Sequence, residues 1–135
     1  MIPEDLRYVA THEWVRIEGD LARVGITHFA QHQLGDIVYV QLPEPGKSLQ
    51  KGEVFGSVES VKTSADLYAP LSGIVEEVNK NLKNAPELVN KDPYGEGWMI
   101  VLKITKEEEI ETLLDAQAYL SLPDITPEYR ASIGK

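Results

Sequence analysis

The chain has 135 residues, 42% of them hydrophobic and 26% charged, with 13 Lys plus Arg against 22 Asp plus Glu for a formal net charge of −9. That size suits one compact soluble domain over residues 1–135, with its core at about 5–122 and a C-terminal tail at 123–135. The spread of acidic charge argues against nucleic-acid and anionic-membrane partners, the absence of cysteine removes disulfides, thiolate nucleophiles and thiolate metal sites, and no apolar run nears the ~18 residues of a membrane helix. The first six residues lack the cationic start and apolar stretch of a signal peptide, so a monomeric, cytoplasmic protein is expected.

Short strand signals dominate. Residues 12–18 and 21–26 read as two strands joined at Gly19-Asp20, a tight-turn pair. Thr27 then caps a short helix, HFAQHQL, that stops at Gly35. His28 and His32 share one face of it at i, i+4, but no H-E-x-x-H accompanies them, and two solvated polar residues are expected there instead of a metal site. Further strands are expected at 36–42, 53–60, 66–71, 73–79 and 97–104, punctuated by Pro43-Glu44-Pro45-Gly46 and other Gly and Pro turns. Asn90 is expected to hold the loop before the last of these, and Trp14 and Trp98 to act as packing anchors. This pattern predicts a mainly β barrel or sandwich. Thr105 and Glu108 form a capping-box pair, which predicts a C-terminal helix from about Lys106 to Tyr119 with Ile110, Leu113, Leu114 and Ala118 as its apolar stripe. Pro123 and Pro127 follow in a tail expected to stay mobile.

Segments 35–53 and 72–92 echo one another: each is a Gly-led β-branched strand, then a polar turn, then a Leu before a Lys-containing turn. Two similar half-sheets related by a pseudo-twofold would account for this, with 54–71 as a hairpin across the join. Lys62 sits at the middle of that hairpin. It is the only cation in GSVESVKTSADLYAPLSG (56–73) and is flanked by small polar residues that give it little cover. Taken alone, it is a solvated turn lysine that keeps an edge soluble.

The run E-S-V-K-T-S-A-D-L-Y-A-P-L-S-G resembles the modification hairpin of lipoyl carrier domains, in particular the glycine cleavage H-protein family. THEWVRIEG (11–19), VGITHFAQHQLGDIVYVQLPEPG (24–46), ELVNKDPYGEGWMI (87–100) and LLDAQAYLSL (113–122) are similar to the family's segments in the same order. The resemblance implies a barrel-sandwich hybrid of two small antiparallel sheets with pseudo-twofold symmetry. It implies lipoate joined by an amide to Lys62, and therefore a carrier with no catalytic residues of its own. The implied partners are a pyridoxal-phosphate glycine decarboxylase, a tetrahydrofolate-dependent aminomethyltransferase, a flavin-containing dihydrolipoamide dehydrogenase, and a lipoate ligase or lipoyltransferase that attaches the group.

The family folds its loaded arm into a surface cleft, using a glutamate in H-E-W and a histidine just before L-G. The first maps onto Glu13. The second position holds Gln33, with His32 one residue earlier, about 100° away around a helix. Asp66, which opens the D-x-x-x-P-x-S-G run, completes the candidate set. Three other readings compete. A lipoyl relay protein serving 2-oxoacid dehydrogenases would carry the same hairpin. A biotin carrier would flank its lysine with Met, where Val61 and Thr63 stand here. An enzyme would need a nucleophile, base and orienting group, and no such set is recognisable.

Overall fold

The computed structural model describes residues 2–133. Strand β1 (Arg7–Tyr8) leads into β2 (Glu13–Glu18) and β3 (Leu21–Ile26), followed by helix α1 (His28–Leu34). Next come β4 (Ile37–Gln41), β5 (Ser48–Leu49), β6 (Val54–Ser60), β7 (Ser64–Tyr68) and β8 (Gly73–Val78). Helices α2 (Asn81–Asn84) and α3 (Leu88–Lys91) precede β9 (Ile100–Ile104), and a 3-10 helix at Glu107–Thr112, α4 (Ala116–Leu120) and α5 (Pro127–Ile133) complete the chain.

The strands form two antiparallel sheets, a six-stranded one in the order β1-β2-β3-β9-β8-β5 and a three-stranded one in the order β4-β6-β7, with no closed barrel. The mainly β, two-sheet architecture is the one expected. The two halves of the sequence echo agree at their leading strands, since β4 opens one and β8 the other. They then diverge, because 35–53 continues into β5 while 72–92 continues into α2 and α3.

Val15, Val24, Ile37, Val58, Leu67 and Leu102 are buried between the sheets in the main core. Each such side chain contributes about 1.5–3 kcal/mol by leaving water. A second cluster of Leu6, Tyr8, Trp14, Phe29, Tyr119, Ile125 and Tyr129 lies under the C-terminal segment. Trp14 is an anchor there, its Nε1 donating to the Pro93 carbonyl at 2.9 Å. The hairpin of β6 and β7 lies close against β4 at Gly56, where a Cβ would meet the Gln41 carbonyl oxygen at 2.2 Å. A register shift between Val54 and Gly56 marks the same place.

The single helix expected over 106–119 is replaced by three pieces. After the 3-10 helix, the chain extends so that Leu114 exchanges backbone hydrogen bonds with Tyr8, both at 2.8 Å, and α4 then starts from an Asp115 cap on the Ala118 N–H. The reason lies in packing: Ile110 and Leu113 rest on the inter-sheet core, while Leu114 and Ala116 belong to the second cluster. One straight stripe could not cover both. The expected capping pair is not used either, and Glu109 instead accepts the Ser72 N–H at 2.7 Å and its hydroxyl at 2.9 Å. The tail expected to stay mobile carries α5, with Ile125 and Tyr129 buried; residues 134–135 of that tail lie outside the described residues. Among the described residues no helix is long and apolar enough to cross a membrane.

Candidate functional site

Lys62 stands at the tip of the β6–β7 hairpin, which is held rigid by Ser60. The Ser60 hydroxyl oxygen accepts from the N–H groups of Lys62 at 3.3 Å and Thr63 at 3.1 Å, and the Ser60 N–H donates to the Thr63 carbonyl at 2.7 Å. The Val61 N–H is tied across to the Asp36 carbonyl at 3.1 Å, just ahead of β4. The backbone is thus pinned from both sides while the Lys62 side chain is exposed. Its stem lies over the end of α1, where a Cβ added to Gly35 would come 3.5 Å from Lys62 Cε. Gly35 has φ of 83°, as a helix exit of this kind requires.

A cavity of about 350 Å³ lies along α1, its wall reaching Leu34, the residue before Gly35. Phe29, Ala30, Gln33 and Leu34 of α1 form one wall, Thr11 and His12 another, and Ala65 of β7 and Asp124 close it. Its volume is that of a small-ligand pocket. Hollows of about 360–450 Å³ lie around α4 and beside Glu76–Asn81, and hairpin residues line none of them. Position along the molecule therefore singles out the cavity on α1.

The sequence candidates fall into different places. Gln33 faces the cavity. His32 does not: its ring stacks on His28, with centroids 6.2 Å apart, and lies 5.7 Å from the Tyr129 ring on the other side of α1. The one-residue step around the helix separates them, so His32 does not stand in for a histidine at position 33. Asp66 is exposed and alternates with Ala65 along β7, so it points away from the face that lines the cavity. Of the i, i+4 pair, His32 is exposed as expected, whereas His28 is half-buried and its Nδ1 hydrogen-bonds the Tyr129 hydroxyl at 2.6 Å.

Glu13 is 1% exposed and sits behind the cavity wall. One carboxylate oxygen accepts from the Thr11 hydroxyl and the other from the Tyr68 N–H at 3.1 Å. Burial raises its carboxyl to about 7, against the lowering effect of these hydrogen bonds. Thr11 is therefore the link between this carboxyl and the cavity.

Sequence reasoning missed His12 and Asp124. His12 is the one non-glycine residue with positive φ (78°) among the described residues, a conformation that costs on the order of 1–3 kcal/mol. Backbone bonds on both sides hold it, from its own N–H to Val9 O and from the Thr27 N–H to its carbonyl, each 3.0 Å. Its ring packs 4.9 Å from Phe29, with Nδ1 2.7 Å from the Tyr119 hydroxyl and Nε2 2.5 Å from Asp124 Oδ2. The only signal in the sequence was that a histidine precedes the glutamate in H-E-W. Its Asp124 partner, 112 residues away, depends on how the tail docks.

Comparison with known proteins decides the family. The family model described as glycine cleavage H-protein matches residues 6–124. The chain belongs to the glycine cleavage H-protein family. The glycine cleavage system H protein of Symbiobacterium thermophilum is 57% identical over 118 residues, covering 87% of this chain and 92% of that protein. That of Thermotoga maritima is 60% identical over 113 residues, covering 84% and 91%. The crystal structure of a glycine cleavage system H protein from Mycobacterium marinum matches with a TM-score of 0.78 and 43% identity, over 88% of this chain and 96% of that one. H proteins are the lipoyl carrier of the glycine cleavage system, a component without catalysis of its own. In this H protein the family match ends at Asp124, so α5 lies beyond it.

Proposed function

We propose that Lys62 carries lipoate in amide linkage and that this chain moves the aminomethyl group of glycine between enzymes. Glycine decarboxylase loads the arm, the tetrahydrofolate-dependent aminomethyltransferase unloads it, and dihydrolipoamide dehydrogenase reoxidises it, after a lipoate ligase or lipoyltransferase has attached the group. The observation that carries this reading is an exposed lysine at the tip of a hydrogen-bonded hairpin, its stem against Gly35, the residue after Leu34 of a mostly apolar cavity. Lipoate supplies, when bound, the dithiol chemistry that a cysteine-free chain cannot encode.

The chain's own residues have separate tasks. Ser60 fixes the backbone under Lys62, so the lysine amine is presented in one place to each active site. Tethering then supplies a high local concentration of the carried group. Phe29, Leu34 and Ala65 give the cavity dry walls, while Thr11 and Gln33 supply hydrogen bonds. On this reading the carrier works in the cytoplasm alongside those enzymes. A relay role toward 2-oxoacid dehydrogenases is the weaker reading, since the relatives are named for glycine cleavage.

Intact-mass measurement after incubation with a lipoate ligase tests the reading. The wild type should gain one lipoyl group and Lys62→Ala none, with the far-ultraviolet circular dichroism of the two unchanged. A lipoyl group on the variant, or none on the wild type, would remove the basis for it.

A further inference from the structure

The structure assigns Asn90 of α3 as a positioning residue for Lys62: through the backbone between α1 and β4 it sets where the lysine amine stands when lipoate is attached. This rests on the lipoyl reading of Lys62. Instead of holding its own loop, as expected from sequence, the Asn90 side chain reaches across to the α1 exit. Its Oδ1 accepts the Ile37 N–H at 2.8 Å, and its Nδ2 donates to the Gly35 carbonyl and to Gln31 Oε1, each at 2.9 Å. The opposite amide orientation would set NH2 against a donor and oxygen against two acceptors, so one orientation alone satisfies every partner.

Those bonds bracket Asp36. β4 lies at the edge of its sheet, and Asn90 stands where a neighbouring strand would, offering the acceptor and donor of a peptide unit. Between the two tied residues, the Asp36 carbonyl accepts the Val61 N–H at 3.1 Å, and Val61 precedes Lys62 at the hairpin tip. The β4–β6 ladder shifts register between Ile37 and Tyr39, so pairing is interrupted beside the tip and the tie through Asp36 matters more there. Gly35, the other residue that Asn90 holds, is the one against which Lys62 Cε lies. One side chain therefore fixes both the backbone leading into Lys62 and the surface under its stem.

The helix that bears Asn90 is itself anchored. Val89 is fully buried in the main core, and Gly97 packs so close to α3 that a Cβ would meet Leu88 O at 2.7 Å and Val89 Cα at 2.9 Å. A fixed helix thus holds an exposed tip, where Val61 is 72% exposed. In attachment the lysine amine attacks the activated lipoyl carbonyl, forming the amide as a proton and the activating group leave. That step depends on position, since a misplacement of about 1 Å can cost on the order of 10²-fold.

The experiment uses the full chain before modification, with lipoate ligase, ATP and saturating lipoate. Asn90→Ala should lower kcat for lipoylation about tenfold and leave KM within about twofold, because the acidic surface that meets the ligase is unchanged. Amide exchange at Val61, corrected for intrinsic rates, should quicken by about the same factor, with the amides of β2 and β3 unchanged. Asn90→Asp keeps an acceptor for Ile37 but sets a carboxylate against the Gly35 carbonyl, so it should slow lipoylation too; if the Ala variant does not fold, the Asp variant carries the test. Asn79→Ala is the control for a lost buried asparagine: its Nδ2 bonds Glu96 O at 2.8 Å and Trp98 O at 2.7 Å, outside this chain of contacts, and its loss should lower stability while kcat holds. Wild-type kcat in the Asn90 variants, an unmoved Val61 amide, or an equal fall in Asn79→Ala overturns the assignment. A wild type that gains no lipoyl group overturns the reading of Lys62 instead.

Discussion

Glu13 sets a pH dependence that can be worked out from its burial alone. Its carboxyl titrates at 4.5 in the open chain and about 7 when folded, because desolvation opposes the charge. Between those values the native state holds more protons than the unfolded state, so stability is fullest in acid and falls as pH rises through 7. The whole effect is at most about 3 kcal/mol. Glu13→Gln removes it while leaving an oxygen for one donor. Urea midpoints should therefore decline less between pH 5 and pH 8 in the Gln variant, with a relative gain of about 1–3 kcal/mol at pH 8. An unchanged slope would mean that the carboxyl is not its source. At this scale the place of Lys62 at the hairpin tip was legible, because it lies inside a continuous motif, whereas Glu13, expected in the cleft, lies behind its wall. Gln33 was located but not its direction, which needed the helix to be placed against the hairpin. Asp124 had no local signal, since its contact with His12 spans 112 residues.

Among elements, α1 and the β2–β3 hairpin followed the sequence closely, since Thr27, Gly35 and the Gly19-Asp20 turn mark their ends locally. The stretch after β9 did not, because its apolar residues serve two cores and tertiary packing overrides the helical period. The start of α5 was there to be found: Pro127 occupies the first helical position and Thr126 Oγ1 accepts the Tyr129 N–H at 3.1 Å. Docking of α5 onto α1 passes through His28, whose affinity for a proton is lowered by burial and then by the neighbouring His32. The folded pKa lies below the unfolded 6.5, so the docked state loses stability as pH falls below 6.5. Hydrogen exchange at Glu128–Ile133, corrected for intrinsic rates, should quicken between pH 7 and about 5.5 relative to the amides of β2 and β3. A constant ratio between the two regions would show that His28 does not govern the docking.

For the molecule as a whole, the net charge of −9 was legible at once as a statement about partners, but not where it would act. The fold places exposed carboxylates of Asp36, Glu59 and Asp66 around the hairpin that presents Lys62, next to exposed Val61 and Tyr39. Any enzyme that handles the arm approaches through this field, so a basic rim on the partner would be drawn in before contact. Such steering acts on encounter and fades within a screening length of about 10 Å at 0.1 M salt. Chemistry inside the partner's active site does not share that dependence. With lipoate ligase and saturating lipoate, raising the ionic strength from about 20 to 200 mM should therefore raise KM for this chain severalfold and leave kcat nearly unchanged. If KM holds constant across that range, the acidic surface serves solubility alone, and recognition must rest on the apolar residues at the hairpin tip.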